Sequence, residues 1–277
     1  MAARPNKGAI AVLVLALIGV LWLLLPEGAE RTLDYSVEIQ IESEKGPFFG
    51  SGTAIGHTRT RSGHSIITHS TVLTAAHVVK DAKQGILTVV WGDFEIPGRI
   101  VPGSIDEERD LALVEVDSTL PIAPLFFGGT RSGEPAIAVG NQFGHGLIMS
   151  DGRVGPEVVI ETGEQSFENF EVSAPSYKGS SGGGVFAWRY GRLGLVGVIQ
   201  GLPSQPVAVG SIFGIPIFKH VAVTTLTYAR PMEVVREYLV EYGFPKYRSR
   251  TSGPRRIAAD LSVPYARRAR ARSFSPR

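Results

Sequence analysis

The sequence predicts an all-β protein, a barrel or sandwich of many short strands, with one late helix and an apolar segment ahead of the strands. Three observations carry this. Short apolar stretches recur between Gly, Pro and Asp signals after residue 34, the spacing of many-stranded β folds. No strand–helix–strand alternation and no long internal repeat interrupts them. Only one stretch, near residue 235, has helical periodicity and helix punctuation.

In chain order, residues 1–7 form a short N-terminus expected inside the cell. Gly8 to Pro26 are nineteen uncharged, mostly apolar residues, which as a helix span roughly 28 Å, close to the hydrocarbon thickness of a bilayer. Arg4 and Lys7 precede this segment while Glu27 and Glu30 follow it, a bias that puts the main body outside the cytoplasm. A cleaved signal peptide is the competing reading, but its apolar region is usually shorter, and Ala29 has Glu27 two places before it instead of a small residue. Residues 8–26 are therefore expected to be a transmembrane signal anchor, and residues 27–33 a linker. Single-pass membrane attachment with the body on the periplasmic or extracellular side follows as the expected localisation.

The strand candidates are YSVEIQI, GSGTAIG, SIITHSTVLTAA, ILTVVWG, DLALVEV, PAIAVG, GGGVFAW, LGLVGVIQG and SIFGIPIF. After them RPMEVVREYLVEYG predicts a helix, with Pro231 in the first turn, Met232, Val235, Leu239 and Val240 on one stripe, and Gly243 as the stop. Residues 244–277 are rich in Pro, Ser and Arg and read as a disordered tail.

Length and composition set outer bounds. A chain of 277 residues with 43% apolar content buries a full core in one domain of about 200 residues plus appendages. Cysteine is absent, which excludes disulfides, thiolate metal sites and cysteine nucleophiles. The formal charge of +2 is unevenly spread: the tail carries +9 and the other 243 residues −7.

The chemistry concentrates in KGSSGGGVF, residues 178–186. A serine hydroxyl is a weak nucleophile unless a base removes its proton and N–H donors await the oxyanion it creates. In triad hydrolases of one type those donors are the nucleophile's own N–H and that of the residue two before it. With Ser181 as nucleophile the second donor is Gly179, where a missing Cβ helps, whereas Ser180 would pair with Lys178. The competing reading is a Gly/Ser linker, against which the strand-like GVFAW speaks directly. Of six histidines, His77 in VLTAAHVV sits where a strand-like run meets a small-residue turn. Asp110 opens DLALVEV, at a strand entrance, and supplies the acid that holds the imidazole tautomer. Each residue alone has an ordinary structural reading; the chain order His77, Asp110, Ser181 is that of the chymotrypsin-type triad and not that of α/β-hydrolases or subtilisins.

GSGTAI, VLTAAHVV, RDLALVEV, AVGNQFG, GSSGGGVF and LGLVGVIQG occur in the order seen in trypsin-like serine proteases of the bacterial HtrA/Deg type, which residues 34–243 resemble. The resemblance implies two six-stranded antiparallel β-barrels with the active site in the cleft between them and a C-terminal helix packed on the second. It implies general base His77, orienting acid Asp110, nucleophile Ser181, an oxyanion hole of Gly179 and Ser181, and no cofactor. The chain departs from that type in three ways. No stretch the size of a PDZ domain follows Gly243. Ser180 stands where relatives commonly have Asp or Asn. Gln142 stands where proline is frequent. The position six before the nucleophile, acidic in Arg/Lys-cutting trypsins, is Pro175. With Ile199, Gln200, Gly201 and Leu202 on the wall and SIFGIPIF facing them, the pocket is expected to take small or medium apolar side chains.

The expected function is a membrane-anchored serine endopeptidase acting on protein or peptide substrates. The alternatives are a catalytically silent trypsin fold kept as a binding module at the cell envelope, and a serine esterase, against which the chain order argues. No metal site is expected, since no acid or cysteine near His57, His64 and His69 completes a set. The basic tail is read as meeting anionic lipid or wall polymers rather than nucleic acid, and self-association into a homo-oligomer is left open.

Overall fold

The structure, a computed structural model, describes residues 28–43, 46–62, 65–80, 82, 86–162, 165–212 and 215–244. The expected membrane helix and the tail beyond Phe244 lie outside the described residues, and among the described residues no helix is long and apolar enough to cross a membrane.

The first half comprises α1 (Arg31–Tyr35), β1 (Ser36–Ser43), β2 (Gly46–Ser62), β3 (Ser65–Thr74), α2 (Ala76–Val79), β4 (Ile86–Trp91), β5 (Phe94–Ile100) and β6 (Ala112–Val116). Its strands close in the order β1-β2-β3-β6-β5-β4, with β4 pairing back on β1. The second half comprises β7 (Pro135–Asn141), β8 (Leu147–Thr162), β9 (Gln165–Val172), β10 (Gly184–Arg189), β11 (Arg192–Gly201), β12 (Ser204–Ile212), β13 (Ile215–Ala222), β14 (Thr227–Pro231) and α3 (Met232–Glu241). Six of these strands close as β10-β11-β14-β9-β8-β7, while β12 and β13 form a separate two-stranded sheet. Every ladder in both barrels is antiparallel. Closure leaves neither barrel with an open edge.

Side-chain alternation explains which residues fill the barrels. In β1, Val37, Ile39 and Ile41 point inward at period two and meet Val72, Val89 and Val114 in the first core. Phe170, Val172, Val185, Val196 and Ala229 fill the second. A third apolar cluster joins them: Ile55, Leu73, Leu111 and Leu113 from the first barrel with Ile137, Val139, Phe186 and Leu195 from the second, closed by Val235, Tyr238 and Leu239 of α3. Burying each of the aliphatic side chains there contributes roughly 1.5–3 kcal/mol, which fixes the two barrels against each other.

The strand reading needs three corrections. SIFGIPIF is not one strand; it is the end of β12 and the start of β13. The strands β5, β8 and β9 were not anticipated, because they alternate or carry charges where only one face meets the core, as in the exposed–intermediate rhythm of β5; nor was β14, whose five residues TYARP are buried at all but Tyr228 yet form no apolar run. The strand expected at GSGTAIG runs on past Gly56, since His57 and His69 lie within the β2–β3 ladder. In the helix, Pro231 is the N-cap (φ −69°, ψ 151°) rather than a first-turn residue, and Tyr238 is buried where Val240 was expected. Gly243 does stop the helix: its φ of +97° suits glycine, and Phe244 N–H reaches back to Leu239 O at 2.8 Å.

Candidate active site

His77 lies in the single turn α2, at the end of β3, and Asp110 on the loop entering β6, so both belong to the first barrel. The acid grips the histidine twice. His77 Nδ1 donates to Asp110 Oδ2 at 2.7 Å, and the His77 backbone N–H donates to Oδ1 at 2.9 Å. Because a carboxylate only accepts, this places the ring proton on Nδ1 and leaves Nε2 as the acceptor. Asp110 adopts the left-handed region at φ 51°, rare for a non-glycine residue and characteristic of constrained functional sites. Burial opposes ionisation of its carboxyl. The His77 ring hydrogen bond and charge, the His77 N–H and the Arg230 charge outweigh that, and the group lies below the usual carboxylate range.

Ser181 sits on the loop entering β10, in the second barrel. Two glycines shape that loop. At Gly179 (φ +99°) a Cβ would collide with Asn141 O, and at Gly182 (φ +82°) with Thr74 Oγ1 and Ser51 O. The Lys178–Gly179 and Ser180–Ser181 peptides are oriented by their carbonyls. Lys178 O accepts from Phe143 N–H at 2.8 Å, and Ser180 O from Gly183 N–H at 3.0 Å. Among the described residues no peptide is cis, so the N–H groups of Gly179 and Ser181 point away from those two carbonyls. Neither N–H has a hydrogen-bond partner among the described residues. The Ser181 hydroxyl donates to Gln200 O at 3.3 Å, and among the described residues no hydrogen bond joins it to His77.

One residue that sequence reasoning missed holds the loop. Ser51, on β2 of the first barrel, donates its hydroxyl to Gly179 O at 2.8 Å and accepts from Asn141 N–H at 2.7 Å, while its own N–H reaches Ser181 O at 2.8 Å. The only signal was a small polar residue between the glycines of GSGTAI. Asn141 Nδ2 adds a second tie between barrels by donating to Glu38 Oε2 at 2.8 Å. Burial pushes the Glu38 carboxyl up, partly offset by its bond with Gln40. The loop at Gln142 closes without proline: Gln142 N–H reaches Gly146 O and its side-chain amide reaches Ser150 Oγ, both at 3.3 Å.

The expected pocket residues separate. Pro175 is exposed, Gln200, Gly201 and Leu202 are half-buried, and Ile199 is a buried member of the second core whose backbone pairs with Gly183. The side chains of the facing 211–218 segment lie outside the described residues. Two cavities lie elsewhere, one of about 430 Å³ bordered by His57, Val101, Leu113, Tyr242 and Phe244 and one of about 540 Å³ on the first barrel near Leu87 and Ile100.

A second histidine–aspartate pair was not anticipated. His69 Nδ1 meets Asp117 Oδ1 at 2.6 Å and its Nε2 meets Thr60 Oγ1 at 2.6 Å. Among the described residues no cluster of three or more His, Asp or Glu could hold a metal ion.

With this geometry in place, comparison with known proteins gives a consistent result. The family profile of the trypsin-like peptidase domain matches residues 50–198. The fold is similar to the active form of the Rv3671c protease from M. tuberculosis, with TM-score 0.56, 19% identity, and 79% of this chain and 88% of that chain covered. It is similar to the inactive form of that protease at TM-score 0.53 and 20% identity, over 79% and 97% of the two chains. The HtrA-type protease AlgW with a tripeptide gives TM-score 0.56 and 21% identity over 78% of this chain and 65% of that one, so the chain spans under two thirds of AlgW. No curated protein is a detectable relative by sequence.

Proposed function

The chain belongs to the trypsin-like peptidase family and is a serine endopeptidase, and from that premise we propose that His77, Asp110 and Ser181 perform its chemistry. The observation that carries the proposal is the two-point grip of Asp110 on His77, which leaves only Nε2 free to accept a proton. In the first step the Ser181 hydroxyl leaves Gln200 O and its proton passes to His77 Nε2 as Oγ bonds the scissile carbonyl carbon. The oxyanion is taken by the Gly179 and Ser181 N–H groups. Collapse breaks the C–N bond, and the imidazolium returns the proton to the leaving amine. Water then attacks the ester with His77 as base, the C–O bond to Ser181 breaks, and the hydroxyl regains its proton.

Fluorophosphonate labelling and casein digestion test this reading on the wild type beside Ser181→Ala and Ser180→Ala. Labelling and proteolysis lost only in Ser181→Ala is the expected outcome; a wild type that neither labels nor cuts sinks it. A silent trypsin fold used as a binding module is the second reading, and the bond from Ser181 to Gln200 O favours it. That null result together with protein binding unchanged in Ser181→Ala would favour it, whereas activity restored by a partner or a membrane would exclude it.

Pro175, six positions before Ser181 and expected at the base of the pocket, carries no charge. The pocket is proposed to accept small or medium apolar side chains, and a peptide library cleaved instead after Arg or Lys would refute this. Residues 8–26 are proposed to anchor the enzyme in a membrane with its body outside the cytoplasm, and the basic tail to meet an anionic surface, at about 1 kcal/mol per basic residue. Release of the full chain from membranes by alkaline carbonate alone would remove the anchor.

A further inference from the structure

Asp110 holds His77 from a left-handed backbone position, and such a position persists only where its surroundings over-determine it. Those surroundings come partly from the loop itself and partly from the other end of the chain. The turn around Asp110 is closed by a reciprocal pair, Asp106 N–H to Leu111 O at 2.9 Å and Leu111 N–H to Asp106 O at 3.0 Å. Within it Arg109 N–H donates to Asp106 Oδ1 at 2.8 Å. Two residues of α3 reach this loop. The Tyr238 hydroxyl donates to Ser104 O at 2.6 Å, with both residues buried. Glu241 Oε2 accepts from Arg109 Nη1 at 2.8 Å, and the same nitrogen bonds Asp106 Oδ2 at 2.7 Å.

The helix making these contacts follows the second barrel directly. It is seated in the cluster between the barrels by Val235, Tyr238 and Leu239, and Glu233 accepts from Gly129 N–H at its first turn. Just before it, on β14, the buried guanidinium of Arg230 acts electrostatically on Asp110 and Asp106, and its Nε has no partner among the described residues. Loop and helix are more than 120 residues apart in sequence, so this wiring is a property of the fold alone.

We infer that α3 is a positioning element for catalysis: Tyr238 and Glu241 hold the loop at Ser104 and Arg109, and thereby hold Asp110 against His77. The inference rests on the triad reading above and extends it to the C-terminal helix. Undocking α3 displaces the acid while leaving the nucleophile and the two loop N–H groups in place. A displacement of this kind lowers turnover without changing the surface that binds substrate, since small misplacements of a catalytic group are costly to rate.

The test uses the full chain and three variants: Tyr238→Phe, which keeps the ring and so the packing, Arg109→Ala, and Arg109→Lys as the conservative rescue. The first readout is the low-field imidazole Nδ1–H proton resonance of His77, assigned against His69→Gln so that the second histidine–aspartate pair is not mistaken for the first. Tyr238→Phe and Arg109→Ala are expected to shift or broaden the His77 signal. The second readout is peptide hydrolysis, where kcat should fall by about tenfold with KM within about twofold, and Arg109→Lys should recover at least part of the loss. An unchanged His77 resonance in both disrupting variants overturns the inference whatever the activity. A lower melting temperature with unchanged kcat overturns it too, leaving the helix a purely structural role. A His77 signal that responds as expected in a protein whose wild type never labels would uphold the positioning and sink the triad reading alone.

Discussion

Two histidine–aspartate pairs lie in the first barrel with nearly the same contact, 2.7 Å for His77–Asp110 and 2.6 Å for His69–Asp117. Everything around the contact differs. The His77 side chain is 34% exposed with Nε2 free, and its acid is 20% exposed and holds the histidine through both backbone and ring. The His69 side chain is 8% exposed, its Nε2 is already engaged by Thr60, and its acid is 50% exposed and shared with both terminal nitrogens of Arg99. The hydrogen bond and charge of Arg99, followed by the bond to His69, hold the Asp117 carboxyl far below its usual range. The first pair stands across from a serine loop with two N–H groups that have no partner among the described residues; none of the bonds of the second involves such a loop. A carboxylate against Nδ1 therefore orients an imidazole without making it a base. What the proposed base adds is an accessible second nitrogen, an acid not hydrogen-bonded to an arginine, and donors for the charge that would develop.

Substitution at the acids gives the largest contrast. Asp110→Asn should lower kcat by roughly 10⁴-fold, as expected when a triad acid no longer fixes the tautomer. Asp117→Asn should leave kcat/KM within about twofold, since it lies outside the proposed machinery. Equal losses in peptide hydrolysis would break the distinction between the pairs.

The loop comes next. Gly179→Ala places a Cβ against Asn141 O at a φ that disfavours it and should cost about 10²–10³ in kcat through a displaced oxyanion donor. No equivalent loss is expected from Thr60→Ala beside His69. Ser51→Ala removes the hydroxyl bridging Gly179 O and Asn141 N–H. It should destabilise the fold by about 1–3 kcal/mol, read by denaturant titration, because two buried backbone groups lose their partner.

The smallest effect is on stability against pH. Both acids are depressed in the folded state, so each contributes stability present above the unfolded carboxylate value, about 3.9, and lost as pH falls below it. Glu38 has the opposite sign: its raised folded value gives stability present below the unfolded value, about 4.3, and lost as pH rises through the folded one. Melting curves between pH 6 and pH 3 should therefore fall less steeply in Asp117→Asn than in the wild type, and Glu38→Gln should gain most near neutral pH. A steeper acid loss in Asp117→Asn would contradict the assignment of its partners.

The candidate residues of the site were legible where chemistry restricts residue type locally. A loop that curls around a candidate serine needs glycines at left-handed positions, so Gly179 and Gly182 beside Ser181 were legible, as were the apolar runs that became β1, β3, β7, β10 and β11. Legibility failed where the reason for a residue lies far away in the chain. Nothing near Ser51 says that it clamps Gly179, and nothing near His69 says that Asp117 and Thr60 enclose it. Strands β8 and β9 escaped because a half-exposed strand need not be continuously apolar, and Ile199 was assigned to a pocket wall although its side chain belongs to a core.

By itself the sequence determined the class of fold, its closing helix, and the chain order of the proposed base, acid and nucleophile, because strand periodicity, helix punctuation and glycine placement are local constraints. Only the tertiary structure decided which histidine keeps an open nitrogen, which aspartate escapes an arginine's hydrogen bonds, and which distant side chains hold the two loops. Those are matters of burial and hydrogen-bond competition, fixed when the barrels close and pack together, and they are not carried by any short stretch of chain.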